Sequence, residues 1–189
     1  MRSTIACVTA AVITVAACGD SGTGPTSTAR LTVMLKDTPF ADAKSMLVTF
    51  SEVSVHRADG EQWVTVPFSG GATSRTCDLK KLTSAQDVLG TGPLTTGRYT
   101  MVRLTVASAA LYFDNAAEGA ACAPTIGAPA GRSSPVEIPS GVVRLNRTFE
   151  VAADDTTTML LDFDGDRSVR ETGNGRYMMT PVITVVSVQ

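Results

Sequence analysis

Residues 98–113 read RYTMVRLTVASAALYF, and this stretch decides the fold class. Val102, Leu104 and Val106 recur at every second position, and Leu111 and Phe113 then recur in the opposite phase. A period of two places one set of side chains on one face of a strand, whereas a helix would repeat its apolar residues at three and four. One extra residue near Ala107 to Ala110 restores a common face, so a β-bulge is expected there. Met46 to His56 behaves the same way: Val48 and Phe50 share one phase, Val53 and Val55 the other, and a second bulge is expected near Ser51 and Glu52.

The alternation continues in both directions. Leu31, Val33 and Leu35 form a first strand, and Trp63, Val64 and Val66 form a third after the Asp59-Gly60 turn, which closes a hairpin. Arg75 to Leu79, Val136 to Ile138, Val142 to Val151, Thr156 to Asp164 and Arg176 to Val188 complete about nine strands. Lys80 to Pro93 reads as a loop, because its one stretch that could form a helical turn, Ser84 to Leu89, is ended by Gly90 and Gly92. Asp114 to Pro135, rich in Ala, Gly and Pro, reads as a long loop, of the kind that often carries binding. Many short strands with almost no helical spacing predict an all-β, antiparallel β-sandwich, immunoglobulin-like or prealbumin-like, with a closed barrel as the alternative.

The N-terminus predicts export. Met1-Arg2, the apolar run Ile5 to Val15 and the small residues Ala16-Ala17 form a secretory signal over residues 1–17. Cys18 directly follows and matches the bacterial lipobox, so its thiol is the expected lipidation site. Acyl chains contribute about 0.8 kcal/mol per buried methylene, enough for two or three of them to anchor a protein durably. Gly19 to Thr28, GDSGTGPTST, has the composition of a flexible tether, so residues 18–28 link the lipid to a domain spanning 29–189. The expected location is the cell envelope, on the outer membrane or its periplasmic side.

Two cysteines remain in the exported part, Cys77 and Cys122. An oxidising compartment favours a disulfide between them, two buried free thiols being the alternative. Net charge is −2 with no run of Lys or Arg, which argues against a nucleic-acid partner held through phosphates. His56 is the single histidine, which removes most zinc sites and most serine or cysteine triads.

The densest polar stretch is residues 160–181, LLDFDGDRSVRETGNGRYMMTP. If it continues as a strand, Met159, Leu161 and Phe163 share a buried face and Asp162, Asp164 and Asp166 share the other. Clustered carboxylates suit a hard cation, so these three are the candidate ligands of a calcium ion. The plainer alternative is surface ion pairing with Arg167, Arg170 or Arg176, each pair worth under about 1 kcal/mol. The loop is not an EF-hand, because Arg167 stands where the essential glycine belongs. Gly173-Asn174-Gly175 is a turn signal. Trp63, Tyr99, Tyr112 and Tyr177 are candidates for lining a groove, although strand aromatics are more often core.

With Leu31-Thr32-Val33, Lys36-Asp37-Thr38-Pro39, Trp63-Val64, Gly97-Arg98-Tyr99, Arg103-Leu104 and Ile138-Pro139-Ser140-Gly141, that C-terminal stretch resembles domain of unknown function family 4382. Its most specific pieces are Asp162-Phe163-Asp164, Ser168-Val169 and Gly173-Asn174-Gly175 with Tyr177 and Pro181. The resemblance implies an exported or lipid-anchored β-sandwich of bacteria and archaea and supplies no catalytic residues. The expected function is a non-enzymatic binding or structural module of the envelope. Its membrane partner is reached through the lipid, and an envelope protein or glycan through the loops. The alternative is an exported hydrolase that uses the carboxylates of Asp162, Asp164 and Asp166.

Overall fold

The computed structural model describes residues 28–38 and 40–189. The signal at 1–17 and nearly all of the tether at 18–28, Cys18 included, lie outside the described residues.

The described residues form thirteen strands: β1 (Thr28–Thr38), β2 (Ser45–Arg57), β3 (Trp63–Thr65), β4 (Arg75–Asp78), β5 (Asp87–Thr95), β6 (Gly97–Tyr112), β7 (Cys122–Ala123), β8 (Ser133–Glu137), β9 (Val142–Val151), β10 (Thr156–Asp164), β11 (Val169–Gly173), β12 (Arg176–Met179) and β13 (Ile183–Val188). One helical turn, α1 (Gly165–Ser168), joins β10 to β11. A four-stranded sheet in the order β13-β10-β1-β5 packs against a nine-stranded one in the order β11-β12-β8-β6-β2-β4-β7, with β3 added to β2 and β9 to β6. Neither closes into a barrel, so the fold is the expected sandwich. It is not purely antiparallel, because β1 with β10 and β8 with β12 run parallel.

The antiparallel pair β2·β6 is the spine, and it carries both expected bulges. Thr49 lies opposite Ser108 and Phe50 opposite Val106, which leaves Ala107 extra on β6; Glu52 then meets Thr105, which leaves Ser51 extra on β2. Each strand changes phase at the same height, so Val48, Phe50, Val53, Val55, Val102, Leu104, Val106 and Leu111 all reach one core. From the small sheet, Leu31, Val33, Leu35, Met159, Leu161 and Phe163 meet them. Phe50 and Phe163 touch edge to face across the gap, ring centroids 6.4 Å apart.

Three expectations need correction. Lys80 to Pro93 is not a loop throughout, since a 3-10 turn at Leu79–Leu82 leads into strand β5. Gly90 and Gly92 do not break that strand; they let Pro67 lie against it. A Cβ on Gly90 would stand 2.9 Å from the Pro67 carbonyl oxygen, and one on Gly92 would collide with the proline ring. Thr91 N–H donates to Pro67 O at 2.9 Å, so the glycines mark close backbone approach. Second, Arg176 to Val188 is two strands. Pro181 interrupts the ladder, and the chain crosses from β12 in the large sheet to β13 in the small one. Third, the short strand β11 precedes β12. Their hairpin turns through Gly173, Asn174 and Gly175, at φ of 106°, 55° and 69°.

Gly141, between β8 and β9, fits only because it lacks a side chain. Val106 N–H donates to Gly141 O at 2.7 Å, and a Cβ there would sit well inside contact distance of the Val106 carbonyl oxygen. Gly141→Ala is therefore expected to cost about 2 kcal/mol or more, measured by urea unfolding. A loss under about 0.5 kcal/mol would show that this turn relaxes freely.

Candidate functional site

The acidic stretch divides where β10 ends. Met159, Leu161 and Phe163 are fully buried, and Asp162 and Asp164 take the other face, as alternation requires. Asp162 Oδ2 pairs with Lys36 Nζ at 2.8 Å, directly across the parallel β1·β10 register. Asp164 Oδ1 accepts from Arg167 N–H at 2.9 Å and so caps α1. That cap turns the chain, and Ser168 Oγ holds the turn by donating to Asp164 O and accepting from Val182 N–H. Asp166 falls in the turn, exposed, instead of extending the strand. The three carboxylates thus have three separate settings. Among the described residues no group of three or more His, Cys, Asp or Glu is placed to hold a metal ion. The expected convergence of Asp162, Asp164 and Asp166 is not formed.

A buried carboxylate that sequence analysis did not single out is Asp37. It stands on β1 in phase with Leu31, Val33 and Leu35, pointing to the core side, and is only 5% exposed. Its position in that phase was the available signal. Oδ1 accepts from Gly165 N–H at 3.1 Å, and Oδ2 is buried without a partner among the described residues. Burial, reinforced by the negative charges of Asp162 and Asp164, pushes its pKa up to about 7 against the pull of the Gly165 N–H and of Lys80. Asp162 Oδ1 is likewise buried and unpartnered, but it lies on the opposite face of the small sheet. Gly165 has no room for a side chain: a Cβ would stand 3.1 Å from Asp37 Oδ1 and 3.2 Å from both Phe40 N and Thr38 O.

Phe40 connects this corner to a row of rings. It meets Tyr177 of β12 edge to face at 6.1 Å, and Tyr177 meets Phe113 at 5.7 Å. The Arg132 guanidinium lies 5.8 Å from the Phe113 ring. Arg132 also closes the long loop: its N–H donates to Asp114 Oδ2 at 2.7 Å and its Nε to Asp114 Oδ1 at 3.1 Å. The same contacts hold the Asp114 carboxyl below the usual range. Midway along the loop, β7 pairs with β4, and Cys77 and Cys122 are joined by a disulfide. The loop expected at 114–135 is thus clamped at its base and stapled at its middle, and β8 begins within its last residues.

Two hollows flank Tyr177. One, of about 400 Å³, is lined by Phe113, Arg132, Ser133, Ser134, Gly175 and Tyr177. The other, of about 420 Å³, shares Ser134 and Tyr177 and adds Pro135, Val136, Glu137 and Arg176. Tyr177 was one of four groove candidates, and the others serve elsewhere. Tyr99 is fully buried, stacked on Phe149 and donating its hydroxyl to Thr95 O. Trp63 lies beneath the Arg103 guanidinium at 4.4 Å and beside His56 at 5.0 Å. Tyr112, half-buried at the end of β6, does line a hollow, but a separate one of about 290 Å³ shared with Thr49, Ser108 and Thr125. His56 shares a hydrogen bond with Thr100 Oγ1, while the buried Ser54 hydroxyl accepts from Arg103 Nε at 3.0 Å.

Fold and site define an all-β sandwich with a ring-walled groove at one end. A family model described as a domain of unknown function, DUF4382, matches residues 28–181, and the chain belongs to that family. No curated protein matches the chain, and neither does any solved structure.

Proposed function

We propose that this chain is a lipid-anchored protein of the cell envelope whose sandwich binds a partner without catalysing a reaction. The observation that supports binding is the groove around Tyr177. It is a concave surface of mixed polarity whose aromatic wall is held by Phe40 and Phe113, and concave sites with a few placed polar groups are where ligands settle. The hydrolase alternative needs two carboxylates facing one cleft. Asp162 is occupied by Lys36, Asp164 caps a turn, Asp166 is solvated, and none of the three lines either hollow. Calcium has no part in this reading for the same reason.

The anchor rests on residues 1–28, where Cys18 follows a signal of the lipoprotein type. In bacteria that process lipoproteins, the wild-type chain is expected in the membrane fraction, carrying label from an alkyne-tagged fatty acid. Cys18→Ser is expected to lose the label and to leave the membrane fraction. An unlabelled wild-type chain would remove the anchor from the proposal. Outer-membrane residence is read from the same fractionation on a density gradient.

A further inference from the structure

We infer that the two hollows flanking Tyr177 are adjoining subsites for a neutral oligosaccharide, an inference that rests on the binding role proposed above. The strands that form the groove offer no long free edge. β8 is hydrogen-bonded to β6 on one side and β12 on the other, and β12 is held between β8 and β11. An extended peptide that binds by adding to a sheet needs a run of unpaired backbone groups along an edge, and the part of β8 that β12 does not cover is only Ser133 to Pro135, whose proline has no N–H to donate. Recognition there must come from side chains and from the face of a ring.

The side chains present suit a polyhydroxylated ligand. Tyr177 is half-buried and fixed by Phe40 and Phe113, giving a rigid flat surface for the C–H face of a pyranose. Around it, the guanidinium of Arg176 donates, the carboxylate of Glu137 accepts, and the hydroxyl of Ser134 offers lone pairs while its hydrogen is directed at the carbonyls of Pro135 and Gly175. Vicinal sugar hydroxyls pair with such alternating donors and acceptors. The charge of the groove is balanced, because Arg132 is matched by Asp114 at 3.0 Å and the second hollow is lined by one cation, Arg176, and one anion, Glu137. A neutral sugar fits this balance better than a phosphate or a uronic acid. Two hollows that meet at one tyrosine and one serine match consecutive units of a chain better than a single monosaccharide.

The test uses the full chain in a non-glycosidic detergent, applied to an immobilised array of neutral and acidic oligosaccharides, with calorimetry on the strongest soluble hit. Binding to at least one neutral oligosaccharide is expected. Tyr177→Ala should weaken it by about tenfold or more, which corresponds to about 1.4 kcal/mol, and Tyr177→Phe should retain it within about threefold. Should Tyr177→Ala fail to fold, Ser134→Ala and Arg176→Ala carry the comparison. Binding only to acidic sugars, no binding, or binding indifferent to these substitutions overturns the inference. A displayed peptide pool is run in parallel. Capture of a peptide that depends on Tyr177, with a silent array, overturns the saccharide and leaves the binding role standing; silence on both removes both.

Discussion

Asp37→Asn is expected to make the domain more stable above pH 7 and to leave it almost unchanged below pH 4. In the folded protein the Asp37 carboxyl is buried, with one oxygen on Gly165 N–H and the other unpartnered, and its pKa is pushed up to about 7 from an ordinary 3.8. At low pH both folded and unfolded chains carry the proton, so the site costs nothing. Between these two values the folded chain keeps a proton that the unfolded chain has released, and stability therefore falls as pH rises. Above about pH 7 both states are ionised and the full cost of the buried charge is present, about 4 kcal/mol. Asparagine has no charge to bury and keeps an oxygen for Gly165 N–H. The measurement is urea unfolding of both proteins from pH 4 to pH 8. The difference between them should grow through that window and then level off. A difference that is constant with pH would show that Asp37 does not hold its proton to near neutrality. The titration is repeated with calcium and with chelator, because a cation bound at this corner would reverse the sign and make Asp37→Asn destabilising.

The strands were legible where burial on one face imposes a period of two. β9 and β10 have the bounds read from the sequence, and both bulges in the spine appear where the phase of Val48 and Phe50 gives way to that of Val53 and Val55. Pairing partners were not legible, because alternation says which side chains are inside and nothing about which strand lies alongside. The parallel pairs β1·β10 and β8·β12, and the passage of the chain from one sheet to the other at Pro181, belong to that missing information. Gly90 and Gly92 misled for a different reason. A glycine that ends a helical turn and one that admits a neighbouring backbone to a strand are alike in sequence, and only Pro67 distinguishes them. At the site, Asp162, Asp164 and Asp166 drew attention through their density, while Asp37 carried the quieter sign of an acid in a core phase. The groove could not be read in advance. It is made by Phe40, Phe113, Arg132 and Tyr177, which come together only when the long loop closes on itself.

Removing the disulfide with Cys77→Ala and Cys122→Ala is expected to lower stability by about 2 to 4 kcal/mol, the upper figure being the chain-entropy value for cysteines 45 residues apart. For a domain of this size that corresponds to a fall in Tm of about 5 to 15 °C. Both cysteines are buried, so alanine is a better replacement than serine, whose hydroxyl would need a partner. The native loop has other supports: Cys122 N–H donates to Asp87 Oδ2 at 3.0 Å, Asp78 N–H donates to Ala121 O at 2.7 Å, and Arg75 Nη2 donates to Cys122 O at 3.2 Å. Asp114 and Arg132 close its base independently. If the disulfide acts through the unfolded chain, the variant loses global stability while hydrogen exchange within residues 114–132 rises only by that global amount. If it acts on the folded loop, exchange there rises far more than in β2 and β6. The number of hydrogen bonds around Cys122 favours the first outcome. A loss below about 1 kcal/mol with unchanged exchange would mean that these contacts already restrain the loop, in the unfolded chain as well as the folded one.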